Sequence, residues 1–146
     1  GRDPSFADVI EQDEVSVKYY LSTQYLATLR AHKARHEKRG NGFGFEVISD
    51  SSVANAVVCG GMGRERNLVY DHRLTNFTPV TRIVGEVNRE GIRKMTPREW
   101  ARLQGFPDDY KIVVSDSSAY KQFGNSVAIP AVQAVAEQIL RSLKIL

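Results

Sequence analysis

One run of thirteen residues, M-T-P-R-E-W-A-R-L-Q-G-F-P from Met95 to Pro107, constrains the fold more than any other, because both ends of a helix are written into it. Thr96 stands at the N-cap, Pro97 takes the first helical position, and Glu99 follows three residues after the cap, completing a capping box. Trp100, Ala101 and Leu103 supply the buried side, and Gly105 with Pro107 ends the helix. A second strong pattern closes the chain. Val132, Val135, Ala136, Ile139, Leu140 and Leu143 recur at helical spacing and put one apolar stripe on one face. Just before it, Tyr120 to Pro130 reads Y-K-Q-F-G-N-S-V-A-I-P. Gly124 is expected to end a short helix at positive φ, and Ser126 to cap the next one, leaving a polar Gly-Asn-Ser turn at a helix start.

These two blocks carry a resemblance. G-F-P, a spacer of 12 residues and then Y-K-Q-F-G-N-S-V resembles the last two conserved blocks of the DNA (cytosine-5) methyltransferases, and R-G-N-G-F-G-F at Arg39 to Phe45 extends the likeness upstream. In that family the first block closes a small target-recognition domain, and the second returns to the large domain to line the S-adenosylmethionine pocket. The resemblance therefore implies that Asn125 and Ser126 contact the cofactor. The family's glycine-rich cofactor loop, Pro-Cys nucleophile loop, Glu-Asn-Val block and Gln-x-Arg-x-Arg block are not in this sequence. The catalytic thiolate is thus expected in another segment, with no catalytic residue in this chain and no activity by the chain alone.

Upstream, Val15, Val17, Tyr19 and Leu21 alternate and predict a short strand running into Ser22, an N-cap for a helix over Thr23 to about Lys38. That helix carries Tyr25, Leu26 and Leu29 on one side. Arg30, Lys33, Arg35, Lys38 and Arg39 lie on the other, a pattern that suits either phosphate contact or a solvated face complementing the helix dipole. His32 and His36 are four apart, a metal-ligand spacing, but the chain offers them no Cys-rich or Glu-rich partner segment, and no metal is expected. Phe43, Phe45 and Val47 predict a second strand, Ala56 to Cys59 another, and Asn67 to Tyr70 a third. Between the last two lies G-G-M-G-R-E-R. Gly60, Gly61 and Gly63 permit close backbone approach, and Arg64 and Arg66 offer forked donors matching guanine or phosphate, so a hairpin tip reading a major groove is expected there. Many relatives carry a Thr-Leu pair at this place, where this chain has Val57, Val58 and Cys59. Cys59, the single cysteine, reads as a small buried hydrophobe at a strand end. Val84 to Ile92 predicts a further strand-like stretch with Asn88 and Gly91 as turn signals.

Charge is uneven. Residues 1–14 hold Arg2 against Asp3, Asp8, Glu11, Asp13 and Glu14, net −4, while the whole chain is +3, so the body is basic and suits a polyanion. With 42% hydrophobic residues and no apolar run near 18, the chain reads as globular, without a membrane partner, and cytoplasmic. The expected fold is mixed α/β. Residues 1–14 form an acidic tail or linker, and 15–114 a small β-rich target-recognition domain that includes the T-P-R-E helix. In 115–146 the Q-F-G-N-S-V turn and terminal helix complete a Rossmann-like, S-adenosylmethionine-dependent domain supplied elsewhere. The resemblance further implies double-stranded DNA and a catalytic segment or large subunit as partners. It assigns DNA-backbone contact to Arg93 or Lys94, and docking on the catalytic part to Arg98, Val132 and Ile139. The rival reading is a non-enzymatic DNA-binding or regulatory module derived from the same region, with an RNA methyltransferase relative as a third.

Overall fold

Alternation along β2 (Leu68–Tyr70) organises the molecule: Leu68 faces one way and Val69 the other, and both are wholly buried, so the sheet is covered on both faces. The computed structural model describes residues 4–42 and 44–145. β2 pairs in parallel with β1 (Val47–Ile48) and antiparallel with β3 (Ile92–Lys94). On the Leu68 face lies α2 (Thr23–Lys38), which presses Leu26 and Leu29 onto Leu68 and Ile92. The Val69 face is covered by α1 (Phe6–Val9), α3 (Pro97–Leu103) and α4 (Asp116–Asn125). Phe6, Ile48, Val69, Met95, Trp100, Tyr120 and Phe123 share that core, with the Trp100 and Tyr120 rings edge to face at 4.9 Å. A third cluster gathers Val15, Val17, Tyr20, Leu74 and Val87. α5 (Ile129–Ser142) follows α4 and buries none of its residues.

Several expectations hold in detail. Ser22 caps α2 by accepting from the Tyr25 N–H, and the capping box of Thr96 and Glu99 is complete. Others are corrected. The expected tail is no tail in its described part, since Phe6 and Val9 are buried in the core of the Val69 face. Burying each such side chain is worth about 1.5–3 kcal/mol, and backbone bonds from Phe6 to Ser52 and from Ala7 to Asp50 add to it against the entropy of ordering the segment. Gly1 to Asp3 lies outside the described residues. The same core takes Trp100 from segment 15–114 and Tyr120 and Phe123 from segment 115–146, so packing runs across both expected boundaries.

The expected strand at Val15 to Leu21 is a 3₁₀ turn, Val17–Tyr19, followed by single bridges from Tyr20 to Arg93 and from Ser22 to Val87. Burial at Val15, Val17, Tyr20 and Leu21 breaks the two-residue period a strand needs. Of the second expected strand only Val47 pairs, continued by Ile48 beyond it; Phe43 lies outside the described residues. Ala56 to Cys59 forms no strand. Because β1 and β2 run parallel, the segment between them is a crossover and not a hairpin. In Val84 to Ile92 the strand β3 starts only at Ile92, preceded by the single Val87–Ser22 bridge and by Asn88, whose buried amide bonds the Leu21 and Ile92 carbonyls.

Arg93 was expected at the DNA backbone and instead is wholly buried on β3. Its guanidinium grips Glu99 with two bonds of 2.8 Å and Asp71 with one of 2.9 Å. Arg73 closes on the same Asp71 and also donates to the Glu11 and Gln12 carbonyls, while Thr96 donates to the Glu11 carboxylate. Burial alone would raise the Asp71 carboxyl, but hydrogen bonds from Arg73 and Arg93 hold it well below the usual carboxylate range.

Candidate DNA-facing and cofactor-facing site

The glycine-arginine segment is built by alternation within one 3₁₀ turn, Arg64–Asn67: Glu65 and Asn67 point inward and are buried, Arg64 and Arg66 point outward and are exposed. Glu65 accepts from the Tyr25 hydroxyl at 3.0 Å and lies 3.6 Å from the Lys94 ammonium. Asn67 locks onto the Asn55 backbone through both its amide atoms, at 2.8 and 3.0 Å. Two buried polar anchors thus hold two cations to solvent. Gly60 and Gly61 precede the turn at φ +86° and +51°, a conformation that side chains disfavour, and Gly63 packs against the Val58 backbone. Neither guanidinium makes a hydrogen bond or ion pair among the described residues, so both forks remain available to a guanine edge or a phosphate. Arg64 also lies over the Tyr120 ring at 5.3 Å, which restrains its plane without using its N–H groups.

Lys94 is half-buried between Glu65 and the Tyr25 ring, and burial pushes its ammonium down. On α2, Arg30 pairs with Glu90 at 2.7 Å and Lys33 leans over Phe45, whereas Arg35, Lys38 and Arg39 are exposed. His32 and His36 place their rings 4.4 Å apart on the same helix. Arg98 clasps the turn after α3 by donating to the Tyr110 carbonyl at 2.7 Å.

The Gly124-Asn125-Ser126 turn differs from its expected form. Gly124 is helical, not left-handed, and α4 continues through Asn125. Ser126 closes α4 and does not cap α5: its hydroxyl donates to the Phe123 carbonyl at 2.8 Å, while α5 starts after Ala128 with Pro130 in its first turn. The glycine serves close approach, since a Cβ there would stand 2.5 Å from the Cys59 nitrogen. Cys59 is exposed and not a buried hydrophobe, and its thiol donates to the Asn125 side-chain oxygen at 2.8 Å. Gln104 joins the two sequence blocks, donating to the Phe123 carbonyl at 2.9 Å and accepting from the Ile129 N–H at 2.8 Å. Above this junction, a cleft of about 220 Å³ opens between Cys59, Gly60, Arg64, Tyr120 and Lys121.

The loop that carries the arginines therefore lies on the helix that carries Asn125. Sequence reading found both groups but not this junction, nor the Arg93 network, because no local pattern marks a contact between residues 59 and 125 or 71 and 93. Chemically, the site offers forked cations on one side. On the other, with Cys59 on the Asn125 oxygen and the Ser126 proton spent on Phe123, the turn presents an amide donor and a hydroxyl acceptor. Along α5, Val132 and Ile139 are just over half exposed.

The sequence model of C-5 cytosine-specific DNA methylases matches residues 2–141. The type II methyltransferase M.HpaII of Haemophilus parainfluenzae is 71% identical over 139 residues, covering 95% of this chain and 39% of that protein. The DNA-cytosine methyltransferase of Escherichia coli K12 is 33% identical over 138 residues, covering 89% of this chain and 29% of that protein. Among solved structures, the S. pombe Dnmt2 methyltransferase superposes on 99% of this chain, and 44% of its own, with a TM-score of 0.70 at 19% identity, a likeness of fold. The chain spans about two-fifths or less of the length of these curated relatives. No helix of the described residues is long and apolar enough to cross a membrane.

Proposed function

The chain belongs to the C-5 cytosine-specific DNA methylase family, and on that premise we propose that it is the DNA-recognition and cofactor-pocket-completing part of a DNA (cytosine-5) methyltransferase acting in restriction–modification. The observation that carries this reading is the 71% identity to a type II methyltransferase over nearly the whole chain. The geometry supports it by seating the segment that carries the solvent-facing arginines against α4, the helix that carries Asn125. Residues 15–114 act as the target-recognition domain. Residues 115–146 dock on a Rossmann-like catalytic part through Val132 and Ile139, and Arg98 on α3 ties the recognition domain to that same part.

In the proposed reaction a cytosine leaves the duplex, a cysteine thiolate of the catalytic part adds to C6, the methyl group passes from its donor sulfur to C5, and loss of the C5 proton to a base of the catalytic part breaks the C6–S bond and frees the thiolate. S-adenosylmethionine supplies that methyl group when bound. The residues present fit such a ligand: the Asn125 amide would donate to an acceptor such as a carboxylate or ribose oxygen, and the Ser126 oxygen would accept from an ammonium or hydroxyl. Arg64 and Arg66, shaped by Gly60, Gly61 and Gly63, read the duplex, while Arg39 and Lys94 lie along its backbone.

The test is co-expression of this chain with the catalytic part and a methylation assay on plasmid DNA. Methyl transfer at cytosine C5 by the pair, and none by the purified chain, is the expected result. Transfer by the chain alone would refute the division of labour, and none by the pair would refute the function.

A further inference from the structure

Segment 58–64 touches α4 at two places one helical turn apart. Arg64 lies over the Tyr120 ring at 5.3 Å, and Cys59 meets Gly124 and Asn125 four residues later on the same face. The second contact leaves no room for a side chain on α4, since a Cβ at Gly124 would be 2.5 Å from the Cys59 nitrogen and 2.9 Å from the Val58 carbonyl carbon. A glycine inside a helix is unfavourable by about 1 kcal/mol relative to alanine, so this position favours backbone contact over helix propensity. Seated there, the Cys59 thiol bonds the Asn125 oxygen at 2.8 Å. Asn125 is exposed, and this is its side-chain bond among the described residues.

We infer that Cys59 is a positioning residue for Asn125: its thiol fixes the amide so that the nitrogen, and not the oxygen, faces the cofactor, and the segment bearing Arg64 thereby sets the cofactor-facing turn. Without that donor the amide can rotate, and half of its orientations present an acceptor where a donor is needed. The inference rests on the reading of Asn125 as a cofactor contact.

The test uses the assembled methyltransferase and separates KM for S-adenosylmethionine, KM for target DNA and kcat, with the cofactor Kd read alongside by calorimetry in the absence of DNA and expected to follow the cofactor KM. Cys59→Ala is expected to raise the cofactor KM about three- to tenfold, the worth of one hydrogen bond, with the DNA KM held. Cys59→Ser, which keeps an O–H donor, should restore the cofactor KM. In an Asn125→Ala background, Cys59→Ala should add nothing further, because the group it positions is gone. If the wild type methylates but Cys59→Ala leaves the cofactor KM unchanged, or if the two effects multiply, the positioning role is overturned and the function stands. An equal rise in the DNA KM would mark general loosening of the segment and would also overturn it. If the wild type transfers no methyl group, the functional reading fails and takes this inference with it.

Discussion

At the residue scale the sharpest contrast is between arginines of one chain. Arg93 is wholly buried between Asp71 and Glu99, while Arg64 and Arg66 face solvent with their forks unspent. Removing Arg93 strands the buried Glu99 carboxylate and leaves Asp71 to Arg73 alone, so Arg93→Leu should cost about 3–5 kcal/mol in urea unfolding. Removing Arg64 or Arg66 should scarcely move stability. If either reads a base bidentately, its alanine variant should lose about 1–3 kcal/mol of discrimination at one position. Uniform weakening on all duplexes, with a shallower salt dependence, would mark a phosphate contact instead. The buried network also sets an acid limit. The Asp71 carboxyl titrates lower in the folded chain than the ordinary value of about 3.9, so its stabilisation is complete above that value and is lost as pH falls toward the depressed one. Urea midpoints should drop between about pH 4 and pH 2. Asp71→Asn should lower the midpoint at neutral pH and flatten the acid fall.

At the element scale, legibility followed locality. α2 and α3 were readable because Ser22, Thr96, Pro97, Glu99 and Gly105 act on backbone groups within a few residues of themselves. The strands were not, being two or three residues long and specified by partners some twenty residues away, as Val47 is by Leu68 and Ile92 by Tyr70. Phe6 misled for a related reason: one aromatic in an acidic stretch makes no stripe, yet it fills the core of the Val69 face. In the candidate site, the glycine-arginine run and the Asn-Ser pair were visible as types, but their meeting on α4 depends on a contact 66 residues apart in sequence. Gly124 shows how such a contact reverses a local rule. Propensity predicts that Gly124→Ala stabilises α4 by about 1 kcal/mol. The crowding by Cys59 and Val58 predicts the opposite, a net loss of about 1–3 kcal/mol as backbone segments are forced apart. A rise in melting temperature for this variant would contradict the packing of the segment on α4.

At the scale of the whole molecule, the question is what keeps α5 in place. Its stripe of Val132, Val135, Ile139 and Leu143 is 52–63% exposed, and none of its residues is buried. Fourteen residues of isolated helix are marginal in water, and Pro130 with the Ile129–Gln104 bond anchors only its first turn. α5 should therefore exchange its amide hydrogens rapidly in the chain alone, while β2, α3 and α4 stay protected. In the proposed assembly, docking on the catalytic part would cover the stripe: each side chain carried from half exposure into an apolar interface would add on the order of 1 kcal/mol. Ile139→Asp separates the two states. In the chain alone the new carboxylate stays in water, and unfolding should shift by less than about 0.5 kcal/mol, as for other surface changes. In the complex it would be buried unpaired, which costs several kcal/mol, so co-purification with the catalytic part should fail and α5 should remain unprotected. Retained assembly by Ile139→Asp would place the docking surface elsewhere on the chain and leave the stripe without its proposed partner.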